Sequence, residues 1–92
     1  MKKGGRFTLL VTINYDKQFD VLYVRPTEYI PSYADEDDNG IITLRSNDDD
    51  IAVGMVIYDF AARVNDGTIE QCELPFPIDY SDDRIREIIA KG

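Results

Sequence analysis

The 92-residue chain contains no histidine and a single cysteine. Without an imidazole, a serine or cysteine nucleophile lacks its usual general base, and zinc lacks its commonest protein ligands. Cys72 has no second cysteine with which to close an internal disulfide, so nothing in the chain calls for an oxidising compartment. The cytoplasm is the expected location. No glycine-rich loop is present, since Gly4-Gly5 is an isolated pair rather than a phosphate-cradling loop. No cofactor is expected, and the chain reads as non-enzymatic.

Positive charge is also scarce. Ten Lys and Arg stand against eighteen Asp and Glu, a formal charge of −8. That sign repels phosphate backbones and anionic lipid, which argues against direct binding of nucleic acid or membrane. It favours a basic protein partner, or mimicry of a polyanion at the groove of a nucleic-acid enzyme. Long apolar runs are missing too, and none approaches the roughly 20 residues that span a bilayer. The basic start with Lys2, Lys3 and Arg6 resembles a signal peptide only superficially, because its apolar residues alternate with Thr8, Thr12 and Asn14.

What is present is a single small α+β domain. Apolar residues fall on alternate positions in Phe7, Leu9, Val11, Ile13 and Tyr15, the period of a half-buried strand. Strands are expected over residues 7–15, 20–25, 41–45 and 51–58, an antiparallel sheet of about four strands arranged as two hairpins. Residues 68–74 offer a short fifth. Within the fourth strand Gly54 leaves a gap in the pleat over which something can pack closely. A short helix is expected over residues 59–65, with Asp59 as N-cap and Gly67 as its stop. The connector Leu74-Pro75-Phe76-Pro77 is extended, since each proline restricts the residue before it. A C-terminal helix follows, capped by Ser81 or Asp82. Its stripe of Ile85, Ile88 and Ile89 is expected to lie on one sheet face.

Tyr15-Asp16-Lys17-Gln18-Phe19-Asp20-Val21-Leu22-Tyr23-Val24 resembles the opening signature of the YuzE-like family, small bacterial proteins of unknown function. That signature is an Asp, three intervening residues, a second Asp, then Leu-Tyr and another apolar residue; Asp16, Asp20, Leu22 and Tyr23 match it. The acidic turn at residues 47–50 followed by Val53-Gly54 and Ile57 resembles a second family feature. Two departures are Asp50, where members often carry a turn glycine, and Val56, in place of a frequent Glu. The resemblance spans residues 15–63. It implies a compact sheet-plus-helix fold, brings no established activity, and links some members to antitoxin-like pairing.

Between the two hairpins, residues 26–39 carry two prolines, Tyr29, Tyr33 and the acidic run Asp35-Glu36-Asp37-Asp38, with no periodicity, and so read as a long mobile loop. Tyrosine supplies contact area with a polar handle, which makes Tyr29, Tyr33, Asp35, Glu36, Asp37 and Asp38 the candidate partner-binding residues. Asp35, Asp37 and Asn39 also fall at the first, third and fifth positions of a calcium-binding loop, with Gly40 at the sixth. Ser46 stands where the bidentate carboxylate belongs, and Pro31 where the entering helix would run, so these are weak metal candidates. The other acids, including Asp16, Asp20, residues 48–50, Asp79, Asp82 and Asp83, are expected to build turns and caps rather than catalytic pairs. An open sheet also leaves edges, along which a partner or a second copy of the chain can pair.

Overall fold

The computed structural model describes residues 10–91. Five strands form one antiparallel sheet in the order β1-β2-β5-β4-β3: β1 (Val11–Asp16), β2 (Val21–Pro26), β3 (Ser32–Glu36), β4 (Ile42–Ser46) and β5 (Ala52–Tyr58). Helix α1 (Phe60–Asp66), a 3₁₀ turn (Thr68–Gln71) and helix α2 (Asp83–Lys91) follow. The expected first strand therefore begins at Val11 among the described residues, while Phe7 and Leu9 lie outside them.

Cross-strand registers explain the faces. Ile13 opposes Val24, Tyr15 opposes Leu22, Leu22 opposes Ile57 and Val24 opposes Met55, so these alternate residues share one face. On it sits the core, in which Leu22, Val24, Met55 and Ile57 meet Ile41, Phe60, Ile69 and Ile85. The Ile85, Ile88 and Ile89 stripe of α2 packs against this cluster as its spacing predicts. Pro26 is tolerated because the β2–β5 ladder already stops at the Val24–Met55 pair, so no partner waits for the N–H that proline lacks.

Gly54 sits at a close approach between strands. A Cβ built there would lie 2.5 Å from the carbonyl oxygen of Val24 and 3.0 Å from Cδ1 of Leu44. The close neighbour expected over this glycine is thus the backbone of β2 itself, with Leu44 covering the vacant side-chain position from β4.

Three expectations are corrected. Residues 32–36 are not part of a loop but an edge strand, so the sheet's second half is a three-strand meander, β3-β4-β5, rather than a lone hairpin. Residues 68–71 are a 3₁₀ turn rather than a strand: Asp66 Oδ1 accepts from the N–H and the hydroxyl of Thr68, at 2.9 and 2.7 Å, and folds the chain back just after Gly67, which holds φ 83°. Asp59 occupies the N-cap position of α1 in a left-handed conformation, yet its side chain caps nothing.

The cap comes instead from Asp20, in the first hairpin. Its Oδ1 accepts the Ala61 N–H at 2.8 Å, its Oδ2 the Ala62 N–H at 3.2 Å, and its backbone carbonyl the Phe60 N–H at 3.0 Å. Tyr15 completes the set by donating its hydroxyl to Asp20 Oδ1 at 2.6 Å. One carboxylate thereby fastens the β1–β2 turn to the start of α1. Burial pushes this carboxyl's pKa up, but the Tyr15 hydroxyl and the two amides outweigh it, and the net value lies below the ordinary 3.8. The Tyr15 hydroxyl is pushed up to about 12, first by its own burial and then by Asp20.

Candidate functional site

Most of the acidic residues build the fold, in the way their types predict. Asp16 Oδ1 accepts from the N–H of Gln18 and of Phe19 in the first hairpin. Asp37 Oδ1 accepts from the N–H of Asn39 and of Ile41 at 2.8 and 3.0 Å, holding the β3–β4 turn around Gly40 at φ 81°. Asp49 serves Ile51 in the β4–β5 turn, where Asp50 takes the left-handed φ of 63°. Of the two caps offered for α2, the structure uses Asp82, whose Oδ1 accepts the Arg84 N–H at 2.8 Å, while Ser81 bonds to Asp79.

The calcium-loop alignment is overturned by the same geometry. Asp35 lies inside β3 and Ser46 inside β4, so the twelve positions are spread over two paired strands and a tight turn rather than wrapped around an ion. Asp35 engages Arg45 Nε at 2.9 Å and Asp37 serves its own turn. No cluster of metal-ligating side chains occurs among the described residues.

The partner-binding candidates converge only in part. Tyr33, Asp35 and Glu36 lie on β3, and Asp37 and Asp38 in the turn that follows it, so five of the six share one sheet edge. Tyr29 precedes the strand and is 90% exposed. Tyr33 is held, its hydroxyl donating to Asp50 Oδ1 at 2.7 Å, and that bond raises the hydroxyl's pKa above its ordinary value. The acids at residues 48–50 lie in the turn at the other end of β4 from Asp37 and Asp38, and of these Asp50 reaches the edge strand through Tyr33.

All five residues of β3 are exposed. Asp37 donates its N–H to the Ile41 carbonyl and Asn47 donates to the Pro31 carbonyl, each at 3.0 Å. Hydrogen-bonded pairs alternate along an antiparallel ladder, so Tyr33 and Asp35 direct their amides and carbonyls to β4. Ser32, Ala34 and Glu36 direct theirs outward, to the free edge. No bulge or inward-turned proline interrupts this row.

Beside the edge, on the helix-bearing face, lies a polar cavity of about 270 Å³ lined by Asp35, Asp37, Thr43, Arg45, Glu73 and Leu74. Arg45 is committed to Asp35 and, through Nη1, to the Asp50 carbonyl at 3.1 Å. Glu73 makes no hydrogen bond or ion pair with the described residues. Thr43 and Arg45 could have been found from sequence, since alternate residues of β4 share a face; Glu73 could not, because only the tertiary path of the 72–78 connector brings it there. A second cavity, of about 180 Å³, lies between α2 and the sheet with walls of Val11, Ile13, Leu22, Val24, Met55 and Phe76. Its apolar lining extends the core. No helix among the described residues is long and apolar enough to cross a membrane. Comparison with protein-family models, with curated proteins and with solved structures finds no match.

Proposed function

We infer that this chain is a non-enzymatic protein-interaction module whose docking element is the free edge of β3, which accepts an extended segment of a partner as an added strand. The observation that carries this reading is the outward row of backbone groups at Ser32, Ala34 and Glu36 on a fully exposed, uninterrupted edge. Backbone pairing supplies affinity with little demand on sequence, and the flanking Tyr33, Asp35 and Glu36 add contact area and charge. The excess of acid on the strand and its turn favours a basic partner. The resemblance of residues 15–63 to the YuzE-like family, with its antitoxin-like members, points in the same direction.

Ala34→Pro is the informative change. Proline removes an N–H that the β3–β4 ladder does not use and puts its ring on the free edge, so the fold is expected to lose less than about 1 kcal/mol. Affinity purification from cells of the source organism should recover a stoichiometric partner with the wild-type chain and lose it with Ala34→Pro. Recovery of the same partner by both would remove the edge from the account.

A further inference from the structure

We propose that the partner strand received at β3 carries lysine or arginine on alternate positions, and that the cavity lined by Asp35, Asp37, Thr43, Arg45 and Glu73 seats one of those cationic side chains. This inference rests on the edge-docking reading and names the occupant of that site. An added strand sends every second side chain to the helix-bearing face, as Tyr33 and Asp35 do on β3. The side chain opposite Asp35 then stands over the cavity, whose volume of about 270 Å³ accommodates a lysine or arginine stem and head.

Charge selects the head. The lining holds three carboxylates and one guanidinium, and that guanidinium is already paired with Asp35. Asp37 spends one oxygen on two backbone amides, and Glu73 has no counter-charge among the described residues. A cation entering here meets two carboxylates that lack a basic partner, while Leu74 and Pro75 offer apolar surface to its stem. The same charges oppose a second copy of this chain. Pairing β3 with its own twin would bring two runs of Asp35-Glu36-Asp37-Asp38 together between molecules that each carry −8.

The test uses the full chain and two capped peptides, one alternating lysine with threonine and a twin with glutamine at every lysine. Wild type is expected to bind the lysine peptide at least about tenfold more tightly than its twin, with the preference shrinking as salt rises. Glu73→Gln should weaken the lysine peptide about threefold and leave the glutamine twin unchanged. Asp48→Asn, which removes the same charge at the far end of β4, should change neither, and Ala34→Pro should abolish both. Equal binding of the two peptides by wild type, lost in Ala34→Pro, overturns the cationic selection and leaves edge docking intact. Equal effects of Glu73→Gln and Asp48→Asn overturn the cavity as the seat. Unchanged lysine-peptide binding by Ala34→Pro, or no binding of either peptide by wild type, overturns edge docking itself. Concentration-dependent dimers that Ala34→Pro dissolves would make a second copy the occupant.

Discussion

Asp20→Ala is expected to destabilise the fold by about 3 kcal/mol. Three losses combine: the charged acceptor for the Ala61 and Ala62 amides, the partner of the half-buried Tyr15 hydroxyl, and tolerance of the left-handed backbone, where residue 20 holds φ 57°. Hydrogen bonds to a charged group contribute roughly 1.5–3 kcal/mol, and an alanine forced to positive φ costs about 1. In a domain of this size that is a large share of the total. Asp20→Asn keeps Oδ1 and suits the left-handed conformation, so its cost should be about half. Urea unfolding of the two variants provides the comparison.

The acid limb of the stability profile follows from the same carboxylate. Its folded pKa lies below the ordinary 3.8, so the ionised form is the one that the folded state favours. The stabilisation is complete above pH 3.8 and disappears as pH falls through the lower folded value. Asp20→Asn should therefore flatten the profile in that window. Tyr15 acts with the opposite sign: its contribution is complete below its ordinary pKa of 10.0 and is lost as pH rises through about 12.

Gly54→Ala is the second large effect, with an expected loss of about 2–3 kcal/mol in the same denaturant titration. A methyl group at 2.5 Å from the Val24 carbonyl oxygen cannot be absorbed by a side-chain rotation, because the obstacle is backbone. Either β2 and β5 separate at the centre of the sheet or the strand twists locally, and overpacking of this kind costs roughly 1–3 kcal/mol. Alanine would otherwise be favoured in a strand by about 0.5–1 kcal/mol through the entropy of the unfolded chain. The contact outweighs that preference.

Four strands are legible because apolar residues alternate or cluster in them: Val11, Ile13 and Tyr15 in β1, Leu22 and Val24 in β2, the run Ile41-Ile42-Thr43-Leu44 at β4, and Met55 and Ile57 in β5, where Val56 on the other face is buried as well. β3 carries no such record. In Ser32-Tyr33-Ala34-Asp35-Glu36 neither face is buried, so the strand is held by its ladder to β4 and the Arg45–Asp35 pair, neither of which alternation can reveal. Its acids and Tyr33 were singled out by residue type, and that part of the candidate site needed no knowledge of the strand. Spacing alone points to Asp59 as the α1 cap because it sees only neighbours. Asp20 reaches Ala61 across 41 residues, and only the β2–β5 pairing, which sets the first hairpin beside the end of β5, brings the two together. Asp50 shows the reverse case. A turn position that glycine would fill at least cost is here filled by one of the few other residues that tolerate positive φ.

The most direct measurement on the central claim is residue-resolved amide hydrogen exchange along β3, with and without bound partner. In the free chain the Tyr33 and Asp35 amides, paired to β4, should exchange slowly, and those of Ser32, Ala34 and Glu36 quickly. On binding of the partner, or of the lysine peptide, the three fast amides should become protected as a new ladder forms. Saturating partner that leaves Ser32, Ala34 and Glu36 exchanging at their free rates would show that the edge of β3 is not where it docks.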